Sequence, residues 1–387
     1  MNIIMIAGTN LELYLFSSIA CLLKEEEKSF QCKLLLPHVF AKSITPEIRG
    51  LYSEIELFEI PSLTPPVSKN PLRMLQNIFD NFRQCLTYRS YIKQTISDAD
   101  VVCISGFREF FANVMCRQAP KRSRLVALRP ANQKVEETAP FVRRPLLSFI
   151  LNIKNFLFGY SVMDYKWMKG VANRLLAKNY VKYPYHRTIL ITDHDVGKQD
   201  SWYRLPPPFI SLQRLYKKEE QEPAILIAGE GTFSYQLLYK KWEDSDQKIY
   251  DEFLDYVRNN FQNYKLYFKP KKGQDQDTGR HNLAGIRLLE SDLSFEEICL
   301  KKNIQKVISI KSMASKVASC FGISSYFLYP LFNLPEEKRK IIEGEHDDIR
   351  SIVKVKQLSD LKKEAGSVSN TYDFHALAGL YWKAIAG

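Results

Sequence analysis

Three short groups in the second half of the chain combine residue types that can move protons and hold phosphates. Gly229-Glu230-Gly231 ends one apolar run and Lys269-Pro270 ends the next, while Ser309-Ile310-Lys311-Ser312-Met313-Ala314-Ser315 stands where a third run passes into a helical pattern. Glu230 lies between two glycines, so a ligand can come close to its carboxylate, and a carboxylate so placed can take a proton from a hydroxyl. Lys269 is a point charge suited to a phosphate, with Pro270 fixing the turn that aims it. Ser309, Ser312 and Ser315 surround a helix start, where hydroxyls and backbone amides together hold anions. Each group also has an ordinary reading, as a strand-ending turn, a solvated basic loop and an N-cap. Capping and anion binding ask for the same residue type, so the serines by themselves leave both open.

The elements that must position these groups follow from periodicity. In the first half, the nearly continuous apolar or β-branched runs Ile3 to Ala7, Cys32 to Leu36, Ile55 to Ile60, Val101 to Ser105 and Leu125 to Leu128 predict strands buried on both faces. Helical spacing predicts helices over 11–24, 42–52, 71–96 and 107–117 between them. A less regular middle ends in Pro206-Pro207-Pro208, which with Lys217-Lys218-Glu219-Glu220 reads as a surface linker. The alternation then resumes, with strands over 224–229, 264–269, 286–290, 306–310 and 325–329 and helices over 245–261, 294–303 and 312–321. Repeated strand-helix alternation implies right-handed crossovers and parallel sheets. The expected fold is therefore α/β, with two Rossmann-like domains facing a cleft, the GT-B arrangement, and ligands outside the carboxyl ends of the strands. The expected divisions are 1–205, 223–370 and a helical segment 371–387 packing back on the first domain.

Composition bounds the function. The chain has 387 residues, and Lys+Arg 55 against Asp+Glu 43 gives a net charge of +12, which favours an anionic partner such as a nucleotide, an acidic glycan or a phospholipid surface. No zinc-knuckle spacing, aromatic RNP-like strand or dense basic arm accompanies that charge, so nucleic acid is not an expected partner. The seven cysteines, at 21, 32, 85, 103, 116, 299 and 320, form no CxxC pair and read as buried apolar residues in a reducing compartment. The six histidines show no ligand spacing, so no structural metal is expected. Gly8-Thr9-Asn10 lacks the GxGxxG of a dinucleotide site. Met1 to Gly8 has neither a basic leader nor a cleavage site, so a cytoplasmic location without a signal peptide is expected.

Further residues stand at predicted strand ends on the first domain. Asn10 follows strand one, Arg108 follows strand four and Arg129 tips strand five, which makes them acceptor-side candidates, although helix starts and surface arginines look the same. The most apolar stretch, Arg143 to Phe158, is interrupted by Asn152, Lys154 and Asn155 and is too polar to span a bilayer. With Arg143 and Arg144 in front and Lys166 and Lys169 behind, it suits an interfacial helix on an anionic membrane, while a buried core helix is the more ordinary source of the same pattern.

The order acidic-Gly, basic-Pro, Ser-rich turn resembles the bacterial sialyltransferases and capsular polysialyltransferases, GT-B enzymes with a (D/E)-(D/E)-G, a His-Pro and a Ser-Ser/Thr motif. The resemblance covers about 110 residues. It implies a metal-independent glycosyltransferase without cofactor, moving a nonulosonate from a CMP-activated donor onto a surface glycan, and the interfacial reading of the segment 143–169 adds a lipid-linked glycan at the inner face of the cytoplasmic membrane as an acceptor. Glu230 would be the general base, Lys269 the phosphate cation, and Ser312 with Ser315 the phosphate hydroxyls. The sequence departs from the family at three places: Gly229 stands for the first acid, Lys269 for His, and the serines are separated. A lysine stabilises a leaving phosphate but is a poor proton donor unless its pKa is lowered. Other donors (CMP-Kdo or a UDP-sugar) and a non-catalytic nucleotide- or glycan-binding role on the same scaffold are the alternatives.

Overall fold

Strands that are apolar on both faces must be covered on both faces, which dictates parallel sheets sandwiched by helices. The computed structural model describes residues 1–26, 29–59, 71–105, 118–129, 186–192, 196–199, 202–229, 235, 240–271, 279, 281–291, 293–344, 351–363 and 373–387, and these form two such sheets. The first runs β3-β2-β1-β4-β5-β6-β8-β7, built from β1 (Asn2–Ile6), β2 (Gln31–Pro37), β3 (Glu54–Phe58), β4 (Val101–Ser105), β5 (Arg124–Arg129), β6 (Arg187–Ile191), β7 (Gly197–Gln199) and β8 (Trp202–Leu205). Among the described residues only the β7–β8 pair is antiparallel. The second is parallel throughout and runs β11-β10-β9-β12-β13-β14, from β9 (Ala224–Ala228), β10 (Lys265–Lys269), β11 (Arg287–Leu288), β12 (Ile304–Ser309), β13 (Ser324–Phe327) and β14 (Val353–Lys354). Strand order reverses between β1 and β4 and between β9 and β12, so each sheet has a switch point at its centre.

The α-helices among the described residues are α1 (Asn10–Lys24), α2 (Pro46–Arg49), α3 (Pro71–Thr95), α4 (Ile210–Gln213), α5 (Asp244–Asn260), α6 (Phe295–Lys301), α7 (Met313–Cys320), α8 (Glu336–Gly344) and α9 (Phe374–Ile385). Thr9 starts α1 as an extended N-cap whose hydroxyl accepts from the Glu12 amide at 3.2 Å. The Glu12 carboxylate in turn accepts from the Gly8 amide at 2.5 Å. Every residue of α1 from Glu12 to Leu23 is buried. The helix expected over 42–52 is cut to α2, because Thr45 caps its start, Pro46 takes the first position and Gly50 ends it.

Two sequence expectations are corrected here. The first sheet continues beyond β5 through β6, a five-residue strand whose apolar run Ile189 to Ile191 lies inside the stretch read as less regular, and through β7 and β8, which are too short for periodicity to reveal. Pro206, Pro207 and Pro208 are buried and do not form a surface linker. Proline has no N–H to leave unpaired, so such a run enters an interior at little polar penalty provided its carbonyls find donors. Tyr381 Oη donates to the Pro206 carbonyl at 2.8 Å, and Ser211 Oγ donates to the Pro208 carbonyl at 2.8 Å. Ser211 also reaches the Ser18 carbonyl at 2.8 Å, which ties α4 to α1.

Helix α9 lies against α1 and the first sheet. Phe30 and Trp382 meet edge to face at 5.7 Å, while Arg124 Nη1 donates to the Ile385 carbonyl at 3.2 Å and Arg187 Nη1 to the Ala384 carbonyl at 3.0 Å. Cations on the last carbonyls of a helix complement its dipole.

The strand-connecting stretch before β9 is pinned by Glu220, which accepts from Lys302 Nζ at 2.7 Å and from Tyr267 Oη. Lys302 above all, then Tyr267, lower the Glu220 carboxyl from an ordinary 4.5 to about 2. A depressed carboxyl contributes stability above its unfolded value, and that contribution disappears as pH falls through its folded value. Glu220→Gln should therefore lower Tm at neutral pH, and the gap to wild type should close as pH falls from about 4.5 to about 2. Melting curves across that range check it; a gap that is constant with pH would remove Glu220 from the account.

Candidate functional site

The carboxyl ends of the two central strand pairs place the polar residues. On the first sheet these ends carry Gly8, Thr9 and Asn10 after β1 and Ser105 at the end of β4; on the second, Gly229 after β9, Lys269 on β10 and the serine turn after β12. Asn10 opens α1, and its Oδ1 accepts from Ser43 Oγ at 2.9 Å. Arg129 ends β5, with its side chain outside the described atoms; Arg108, Glu230 and Gly231 lie outside the described residues, as does the segment 143–169.

Gly229 has a packing reason. A Cβ there would stand 2.6 Å from Phe268 Cζ and 2.8 Å from its Cε1, so only glycine lets the Phe268 ring lie under the end of β9. That ring belongs to an aromatic group around His281, which also meets Tyr250 at 4.5 Å and Trp242 at 6.3 Å. Gly229→Ala should cost about 1–3 kcal/mol, the usual range for overpacking, read as a lowered denaturation midpoint at unchanged m-value. An unchanged midpoint would mean that the ring moves aside freely.

Lys269 ends β10, and its Nζ donates to the Ser291 carbonyl at 2.9 Å, with the Glu290 carbonyl at 3.5 Å. The ammonium is thus held over the turn that follows β11 and leads into α6. At the serine turn, Ser309 and Ser315 are fully buried and share a hydrogen bond of 2.8 Å. Ser309 Oγ also accepts from the Ser312 amide at 3.1 Å, and Ser315 Oγ donates to the Tyr326 carbonyl at 3.3 Å. Both hydroxyls lock the turn to β12 and β13. Ser312 is the outermost, half-buried, and its Oγ caps the Ala314 amide at 3.2 Å. The structure thus groups Lys269 and the three serines on one sheet edge and leaves Asn10 on the opposite one.

The two edges meet through α1 and α6. Ser294 caps α6 by accepting from the Glu297 amide at 3.0 Å, and its hydroxyl donates to Tyr14 Oη of α1 at 3.3 Å. Beside this contact Glu296 is only 8% exposed. Burial is the main influence on its carboxyl and pushes it up, while Lys269 pulls the other way. Burial also pushes the Tyr14 phenol up. One turn into α7, Lys316 is a fully buried lysine at 2% exposure. Glu296, Tyr14 and Lys316 were not singled out from the sequence. Lys316 had a signal, a lone cation inside the small-residue run Ser315 to Cys320; Glu296 had none, since acidic residues in a first helical turn are ordinary.

With that geometry in place, the chain can be set beside known proteins. No protein-family profile matches it, and no curated protein matches it in sequence. A Listeria monocytogenes structure assigned as a UDP-N-acetylglucosamine 2-epimerase is similar with a TM-score of 0.56 at 12% identity, over 98% of this chain and 94% of the other. The UDP-GlcNAc 2-epimerase of Methanocaldococcus jannaschii gives a TM-score of 0.50 at 10% identity, over 96% and 94%. The fold is GT-B. Two parallel-sheet domains with central switch points and similarity across nearly the whole length decide this, and at such identity the likeness speaks for the fold alone.

Proposed function

We propose that this GT-B chain is a glycosyltransferase that takes a sugar from a nucleotide-activated donor bound at the carboxyl edge of the second sheet. The observation that carries the reading is the placement of Lys269 and the Ser312 turn on that edge beside the β9–β12 switch point. Glu230, two residues past β9, takes the proton of an acceptor hydroxyl as its oxygen attacks the anomeric carbon. The bond from that carbon to the phosphate oxygen breaks, and Lys269 with the amides and hydroxyl at Ser312 neutralises the departing nucleotide. The donor proposed is a CMP-activated nonulosonate, the acceptor a glycan or lipid-linked glycan approaching from the side of Asn10 and Arg129, and the step as written uses no metal. Among the described residues no helix is long and apolar enough to cross a membrane.

A UDP-sugar is the second donor to test, because the solved structures with this fold named above are UDP-GlcNAc epimerases. Calorimetry with CMP, UDP and GDP, followed by transfer assays with the matching sugar nucleotides, including UDP-GlcNAc, decides between them. Binding of CMP with transfer is the expected result; UDP binding with epimerisation and no transfer would replace the reading.

Two substitutions test the roles. Glu230→Gln should cut kcat by roughly 10²-fold with nucleotide affinity kept, since loss of a base acts on the chemical step; an unchanged kcat would remove the assignment. Ser312→Ala should weaken nucleotide binding beyond its effect on stability, whereas a pure cap would cost about 1 kcal/mol of folding free energy and nothing in affinity. Equal Kd with a lowered Tm would return Ser312 to structure alone.

A further inference from the structure

A cavity of about 590 Å³ opens between β3 and α3 on the first domain, within the roughly 300–1,000 Å³ span of sites that take small ligands. Its position follows from register. Leu35 pairs with Ile6 of β1 and with Glu56 of β3, so Phe58, at the end of β3, stands level with the Gly8 that follows β1. Two strand spacings of about 4.8 Å separate β3 from β1, which puts the cavity about 10 Å from the start of α1 along the same carboxyl edge. The 3-10 turn His38–Ser43 spans that gap, and its last residue donates to Asn10 Oδ1 at 2.9 Å.

The walls select the ligand. The Phe58 and Tyr88 rings meet at 6.1 Å and the Tyr88 and Tyr91 rings at 6.5 Å, with Leu57 added from β3. Polar groups of the lining are already engaged: Glu56 takes Lys33 at 2.5 Å on one oxygen and Tyr91 and Thr95 on the other, and Thr87 Oγ1 donates to the Arg83 carbonyl at 3.1 Å. A sugar ring buried here would leave hydroxyls unpaired, which is penalised, whereas hydrocarbon enters at no such cost. Arg83 and Glu59 line the cavity from exposed positions, so its mouth is charged while its interior is apolar. Leu72 and Leu86, both exposed, fall on the same stripe of α3 as Arg83 and Thr87 at about 100° per residue and extend the apolar surface beyond the mouth. Rings inside and charges outside suit an amphiphile whose tail enters and whose head stays in water.

We propose that this cavity binds the hydrocarbon part of an amphiphilic acceptor, a lipid-linked glycan whose tail lies between β3 and α3 while its sugar reaches along the edge toward Asn10. That the amphiphile is the acceptor rests on the transferase reading above; that the cavity takes hydrocarbon does not.

The n-alkyl β-glucosides from hexyl to decyl, each below its micelle concentration, serve as probes. In calorimetry their Kd should tighten by about fourfold per added methylene as the tail is buried. Thr87→Trp, which fills the mouth, and Thr87→Glu, which charges it, should each weaken decyl glucoside by roughly tenfold or more while nucleotide Kd is kept, and Thr87→Val should bind as wild type does. Affinity that ignores chain length, or that survives both blocking variants, overturns the hydrocarbon site. In the transfer assay decyl glucoside should raise the acceptor KM and leave kcat and the donor KM unchanged; inhibition that leaves the acceptor KM alone overturns the acceptor role. A wild type that binds decyl glucoside with this chain-length dependence but yields no product with any sugar nucleotide overturns the transferase reading and the acceptor role with it, and the hydrocarbon site stands.

Discussion

Helix α1 has no solvent face between Glu12 and Leu23, and the rest of the structure is arranged around that fact. A helix buried all round needs a cover on every side and a partner for every polar group it carries. The first sheet lies beneath it, α4 and α9 lie along it, and α6 touches it from the second domain. Ser17 meets Tyr52 at 3.1 Å, Ser18 donates to the Tyr14 carbonyl at 2.7 Å, and Tyr14 reaches across to Ser294. One apolar cluster accordingly runs from β1 through α1 into β9, β12 and α9. Since α1 springs from the carboxyl end of β1, its packing also sets how far the carboxyl edges of the two sheets stand apart.

The second sheet is built to keep its edge rigid. The serine turn is closed by hydrogen bonds among its own hydroxyls and to β13, Gly229 gives way to the Phe268 ring, and Lys269 is held on the carbonyls after β11. Preorganised donors of this kind need not rearrange when charge develops on a leaving group, which is where electrostatic stabilisation gains its strength.

Much of this architecture was legible as short apolar runs. β1, β2, β4, β5, β9, β10, β12 and β13 lie where both-face-buried strands were expected, because parallel strands leave a signal that needs no neighbour to interpret it. What escaped depends on tertiary contacts. β7 and β8 are three and four residues long, and the triproline is buried only because Tyr381 and Ser211 supply donors from elsewhere in the chain. Gly229 looks in sequence like a lost acid, and its reason appears only with Phe268 in place. The serines were singled out together, yet spacing could not tell that Ser309 and Ser315 turn inward while Ser312 stays at the rim. Glu296 resembles any acidic residue in a first turn until α1 closes over it.

The packing that buries the described cysteines changes what their presence says about surroundings. Cys21, Cys32, Cys103, Cys299 and Cys320 are all buried and unbridged, and burial pushes the Cys21 thiol up to about 11 and the Cys32 thiol up to about 12. Oxidants and alkylating reagents attack the thiolate, which burial disfavours at Cys21, Cys32, Cys103 and Cys299. The folded chain would thus pass through an oxidising medium with these sulfurs untouched, so their reduced state reflects the core around them and says little about the compartment that surrounds the protein.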